Sequence, residues 1–182
     1  MSKMTVSRVL RHPERVANGT RRRVQAVMRK ANFVPNRVAS NLALRCSQVV
    51  AIVIPIINPV FADTVRGMTD VLRERGYELL LGITDYSLAV EESAVAAFLG
   101  RCVDGIVVTG ITHTKRTRDM LKRAPIPVIE IWNITRDPID VCVGVSHYQA
   151  SRQMVKCLHF RGYRGIGYLG GDIRGNDLTA GR

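Results

Sequence analysis

The sequence predicts an α/β domain built on a parallel sheet, preceded by a small, strongly basic all-α head. Three observations carry this reading. Lysine and arginine crowd the first quarter of the chain, and from residue 47 onward apolar runs of strand length alternate with amphipathic stretches. The two regimes change over across a short connector that contains Pro35.

The charge is divided unevenly. Of 182 residues, 27 are Lys or Arg and 15 are Asp or Glu, a net charge of +12. Residues 1–46 hold 11 of the bases and one acid, Glu14, whereas the other 136 residues hold 16 bases and 14 acids. A near-neutral body with a basic head fits a polyanionic partner, bound through counterion release. No apolar run approaches a membrane span. The polar, basic N-terminus lacks the apolar core of a secretory signal, so a cytoplasmic location is expected. Cys46, Cys102, Cys142 and Cys157 have no metal-ligand or redox spacing, and they are expected to be reduced, buried thiols. Nothing calls for a cofactor or a metal.

In the head, Val6, Val9 and Leu10 form an apolar stripe at i, i+3, i+4, so the first helix has an apolar back. Its front carries Lys3, Met4, Ser7 and Arg8, with Thr5 beside them. Hydroxyls and long bases of this kind can reach phosphates and base edges in a DNA major groove. Pro13 marks a loop. A second helix follows from about Gly19 to Ala31, with Asn18 as its expected cap and Val24, Val27, Met28 and Ala31 as its apolar positions. Phe33-Val34-Pro35 is expected to stop it, because proline disfavours helix in the residue before it. Asn36 to Leu44 has a connector's composition and one to two turns of helix, too short to be stable alone in water.

The body reads as strands and helices in turn. Strands are expected at Val49–Ile54, Tyr77–Ile83, Val103–Thr109, Pro127–Ile131, Val141–Val145 and Gly165–Leu169. Helices are expected at Val60–Arg75 (stopped by Gly76), Glu91–Arg101, Lys115–Arg123 and Tyr148–Arg161. Such alternation implies a parallel sheet covered on both faces, with ligands at the carboxyl ends of the strands. The loops at those ends carry Phe61, Thr84-Asp85-Tyr86, Gly110 to Thr114, Asn133 and Ser146-His147. Hydroxyls and aromatic rings in that setting suit a small polyol or sugar acid, and Arg182 could pair with a carboxylate. His113 reads either as a ligand contact or as a surface loop histidine, and Trp132 as a contact or as packing. The glycines of Gly165 to Gly171 lack the order and the following helix of a dinucleotide loop. Ser146-His147 is too slight for a catalytic dyad, so no enzyme is expected.

Thr5-Val-Ser-Arg-Val9, Val16, Thr20-Arg21, Val24, Val34-Pro-Asn36, Ala39 and Leu42 resemble the DNA-binding head of LacI/GalR repressors. Asn58-Pro-Val-Phe-Ala-Asp63, Gly76-Tyr77, Val103-Asp-Gly105, Pro125-Ile-Pro127, Gly162-Tyr163 and Ala180-Gly-Arg182 are similar to that family's sugar-binding body. Tyr86, His113-Thr114 and Glu130-Ile-Trp132 look most like its gluconate-type members. The resemblance implies a partial helix-turn-helix head over residues 1–35 and a hinge helix with linker over 36–46. It further implies an incomplete periplasmic-binding-protein-like lobe over 47–182. In that scheme Lys3, Met4 and Arg8 stand at base-reading positions, with Thr5 and Ser7 near phosphate. Asn36 begins the hinge helix, and Leu42 is the leucine that wedges into the minor groove. Phe61, Asp85, Tyr86, His113, Trp132 and Arg182 would meet the effector. The implied partners are a double-stranded DNA operator, a sugar or sugar-acid effector and a second copy of the chain.

Two departures from the family pattern shape the expectations. Ala17 stands where the family has serine, and the helix that precedes the recognition helix is missing. The reading frame is therefore expected to open upstream of Met1, and family members continue for about as long again as this chain, completing the first lobe and supplying a second. The 182 residues alone are expected to bind DNA weakly and without much specificity. A periplasmic-type sugar-binding protein with no DNA role is the alternative, opposed by the basic head. A flavodoxin-like enzyme fragment is disfavoured by the lack of a phosphate loop.

Overall fold

The computed structural model describes residues 3–33 and 47–169. The chain divides into two units, Met1–Leu44 and Arg45–Arg182.

The first unit comprises α1 (Lys3–Arg11), a single 3-10 turn (Pro13–Arg15) and α2 (Asn18–Lys30). Val9 and Val24 are its buried apolar side chains among the described residues, while Val27, on the same expected stripe as Val24, is 60% exposed. The cap of α2 corrects the sequence reading. Ala17, not Asn18, occupies the N-cap position, and no side chain closes that end. A methyl group cannot accept the free N–H groups of the first turn, a loss of about 1 kcal/mol relative to Ser or Asn. The other end also differs from expectation. Asn32 adopts the left-handed conformation at φ 46°. Its N–H donates to the Arg29 carbonyl at 3.2 Å and the Phe33 N–H to the Met28 carbonyl at 2.9 Å. This Schellman closure ends α2 before Pro35 is reached.

The second unit is the expected α/β body. Its elements are β1 (Val49–Ile54), α3 (Pro59–Glu74), β2 (Glu78–Ile83), α4 (Leu88–Gly100), β3 (Gly105–Thr109), α5 (Lys115–Arg123), β4 (Val128–Trp132), β5 (Val141–Gly144) and α6 (His147–Phe160). The strands lie in the order β2-β1-β3-β4-β5, and every pair is parallel. Residues alternate between the faces, as the pleat requires. Ala51, Val53, Ile106, Val108 and Val128 pack with Val95 and Phe98 of α4 and Leu121 of α5. Ile52, Ile54, Val107 and Ile131 pack on the other face with Phe61 of α3.

Local chemistry sets the boundaries. Asn58, Ser87, Thr114 and Ser146 cap α3, α4, α5 and α6, each accepting a backbone N–H from the first turn. The Ser87 cap starts α4 at Leu88 rather than Glu91. The Gly76-Tyr77 and Gly162-Tyr163 pairs repeat the Schellman closure of α2. Gly76 has φ 74° and Gly162 φ 91°, and the tyrosine N–H groups reach back to Leu72 and Leu158. Asp104, of the Val103-Asp-Gly105 motif, ties the entry to β1. Its carboxylate accepts from the Ser47 N–H at 2.7 Å and the Gln48 N–H at 2.8 Å.

Two expectations fail in this unit. Residues Gly165–Leu169 form no strand, and Leu169 is 99% exposed. An apolar run has strand character only where a neighbouring ladder takes up its N–H and C=O groups, and periodicity does not reveal that neighbour. The thiols are not uniformly buried either. Cys102 and Cys157 are exposed and Cys142 is intermediate, all three free. Cys102 occupies the left-handed position (φ 55°) that ends α4, so the chain turns it outward. Cys157 lies on α6, which buries no residue. Cys46 lies outside the described residues. Among those residues, no helix is long and apolar enough to cross a membrane.

Leu121 is 1% exposed in the core of the α4–α5 face. Leu121→Ala is expected to destabilise the protein by about 2–5 kcal/mol through lost burial and a cavity, read as a shift in the urea unfolding midpoint.

Candidate functional site

In the head, Met4, Ser7 and Arg8 are exposed on one face of α1 and Thr5 is half-buried, with Val9 turned inward. Lys3 begins the helix. Asn36 and Leu42 lie outside the described residues.

In the body, strand order reverses around β1, because β2 lies on one side of it and β3 on the other. Crossovers leaving a sheet in opposite directions open a crevice at the carboxyl ends of the strands there. The pocket lies at that point. Val53, Ile54 and Pro55 from the end of β1, Thr84 after β2, Thr109 and Gly110 at β3, and Trp132 and Asn133 at β4 line it. Phe61 of α3, Tyr86, Thr112, and Ser87, Leu88 and Glu91 around the start of α4 complete the lining. The Phe61 and Trp132 rings meet edge to face, with centroids 5.4 Å apart. The Thr109 hydroxyl donates to the Val53 carbonyl at 2.9 Å, fastening β3 to β1 under the crevice.

The rim is held in unusual backbone geometry. Asp85, Tyr86 and Trp132 have φ of 49°, 61° and 77°. Left-handed conformations cost non-glycine residues of order 1 kcal/mol each, and they gather where a site needs a side chain aimed. Gly144 of β5 packs against the Asn133 backbone so closely that a Cβ there would lie 2.6 Å from the Asn133 nitrogen. The β4 end of the pocket is therefore fixed from behind. His147 adds a contact, its Nε2 3.0 Å from the Trp132 carbonyl oxygen.

The predicted effector residues separate into groups. Phe61, Tyr86 and Trp132 are brought together on the pocket wall. Asp85 is exposed and off the lining, with its N–H donating to the Pro55 carbonyl at 2.7 Å. The His113 side chain is fully buried behind the wall, with Nδ1 2.8 Å from Glu91 Oε1 and Nε2 3.6 Å from Glu130 Oε1. It is neither a surface histidine nor a lining residue. Arg182 lies outside the described residues. Sequence reasoning missed Glu91 and the burial of Glu130. A signal existed for both. Glu91 shares the i, i+4, i+7 stripe of Val95 and Phe98, the buried face of α4, and Glu130 interrupts an otherwise apolar parallel strand.

A parallel sheet with its pocket at the switch point, in a chain that also carries a basic helical head, is the two-unit arrangement of a class of bacterial regulatory proteins. The chain belongs to the LacI family. The family descriptions "Bacterial regulatory proteins, lacI family" and "Periplasmic binding proteins and sugar binding domain of LacI family" match residues 1–36 and 47–182 respectively. It is similar to the HTH-type transcriptional regulator GntR of Escherichia coli K12, with 35% identity over 93% of this chain and 52% of the relative. IdnR of the same organism is 36% identical over 85% of this chain and 47% of its own length. A LacI family transcriptional regulator from Silicibacter pomeroyi superposes with a TM-score of 0.84 at 38% identity, covering 90% of this chain and 50% of that one. The chain thus spans about half the length of the curated relatives it matches.

Gly144→Ala is expected to destabilise the body by about 1–3 kcal/mol or more, because the backbone of Asn133 cannot move aside as a side chain would. Thermal unfolding of the variant measures this directly.

Proposed function

We propose that this chain is part of a sequence-specific DNA-binding transcriptional repressor of carbohydrate or sugar-acid metabolism, controlled by a small effector such as gluconate, and that the 182 residues alone bind DNA weakly and with little specificity. The observation that carries the reading is the aromatic and hydroxyl-lined pocket at the switch point of a body whose chain also bears the basic head. The names of its relatives, the transcriptional regulators GntR and IdnR, support the same assignment.

In this reading Met4 and Arg8 read base edges from α1 together with Lys3, and Thr5 and Ser7 bind phosphate. Asn36 and Leu42 belong to a hinge that kinks the site. Two copies of the protein hold two heads over a two-fold operator in the cytoplasm. Phe61, Tyr86, Trp132 and Arg182 hold the effector, and Asp85 and His113 orient the wall. Effector binding favours the conformation for which it has the higher affinity, and the population of the DNA-competent state falls accordingly.

Two experiments test this. Trp132 is the one tryptophan of the chain and lines the pocket, so D-gluconate is expected to change intrinsic fluorescence saturably in the intact protein. Trp132→Phe abolishes that signal. A flat titration removes gluconate as the effector. For the head, DNA affinity should fall linearly with salt on logarithmic axes. In a version of the protein extended upstream of Met1, Arg8→Glu should weaken operator binding by about tenfold or more, the value of a charged pairing with a base or phosphate. Operator affinity indifferent to that change would remove Arg8 from the interface, and no DNA affinity at low salt would leave only a sugar-binding protein.

A further inference from the structure

Beneath the pocket lies a buried series of titratable side chains, Glu91, His113 and Glu130, of which the proposed function uses only His113. Glu91 is 6% exposed and lies on the pocket wall. His113 lies between it and Glu130, with Nδ1 2.8 Å from Glu91 Oε1 and Nε2 3.6 Å from Glu130 Oε1, beyond hydrogen-bond distance, and the His113 and Glu130 side chains fully buried. Glu130 is held in turn, since its Oε2 accepts the Ile139 N–H at 2.7 Å. Glu92, next to Glu91, is engaged separately with the Thr114 hydroxyl at 2.6 Å and with Arg116. The arrangement crosses three elements: the first turn of α4, the loop after β3 and the middle of β4.

Buried ion pairs give back in desolvation much of what they gain by attraction, and apolar replacements of like volume often match or exceed them. What an apolar replacement could not supply is a fixed carboxylate on a pocket wall. An ionised carboxylate only accepts hydrogen bonds, and it repels a second carboxylate. The other polar groups of the lining are Thr84, Tyr86, Ser87, Thr109, Thr112 and Asn133, and no Lys or Arg lines the pocket among the described residues.

Taking the pocket as the effector site proposed above, we infer that Glu91 is its specificity-determining hydroxyl acceptor and that His113, 2.8 Å from it, is the residue that positions it. This wall therefore reads the hydroxylated carbons of a sugar acid, and the ligand's own carboxylate points away from it. Glu91 touches ligand. His113 acts only through Glu91.

Calorimetric titration of the intact protein with D-gluconate and with its monodeoxy analogues tests the assignment. Glu91→Gln keeps an oxygen for His113 Nδ1 and is expected to fold, while weakening gluconate by about tenfold or more through loss of a charged acceptor. One deoxy position should cost the unaltered protein about tenfold and cost Glu91→Gln little. His113→Asn should likewise lose that discrimination, and the double variant should bind no worse than Glu91→Gln. Loss of folding alone would not erase selectivity at one hydroxyl while leaving the others. Unchanged gluconate affinity in Glu91→Gln, with Phe61→Ala still weakening it, overturns the inference and leaves the effector reading standing. Failure of the unaltered protein to bind gluconate overturns that reading and the inference with it.

Discussion

The body depends on the burial of one strand on both faces and along both edges. β1 pairs with β2 on one side and β3 on the other, and Ala51, Ile52, Val53 and Ile54 are each at most 1% exposed. A strand in that position has all its N–H and C=O groups engaged in two ladders, so it can be wholly apolar without leaving a polar group unsatisfied. Because β2 and β3 lie on opposite sides of it, the connections at its carboxyl end leave in opposite directions and the gap there stays open. The pocket is a geometric by-product of the way β1 is buried, and side chains from four strand ends converge there without any long loop having to find its place.

That constraint explains what could be read from the sequence. A strand buried on both faces is a continuous apolar run, and Val49-Val-Ala-Ile-Val-Ile54 matches the observed strand residue for residue. The glycine and tyrosine pairs at helix ends are equally legible, because the left-handed turn is a local demand of the backbone. Gly165-Ile-Gly-Tyr-Leu169 has much the same character on paper and forms no strand, since its pairing partner is a tertiary fact. Cys102 failed for a related reason. Its residue type suggests a core, whereas its place at the end of α4 dictates a turn.

The site was legible in part and for similar reasons. Aromatic side chains at strand ends converge wherever the topology is known, so Phe61, Tyr86 and Trp132 could be grouped. The carboxylates could not, because an acid in a helix's first turn ordinarily faces water and favours the dipole. Only its phase relative to Val95 and Phe98 marks Glu91 as inward. His113 was legible as a residue of interest, yet its environment was misjudged. Two acids distant in sequence, at positions 91 and 130, make it interior, and neither could be paired with it before the β3–β4 register placed them.

The outer strand has a colloidal meaning. Among the described residues β5 pairs only with β4, and Val141 and Val143, with Val145 just beyond, are 47%, 59% and 56% exposed. This uncharged segment has no proline or lysine to discourage a second strand from adding to its free edge. An exposed apolar edge of this kind is where a further strand adds most readily. Association through such an edge ends when a polypeptide, from the same molecule or another, satisfies its row of amides.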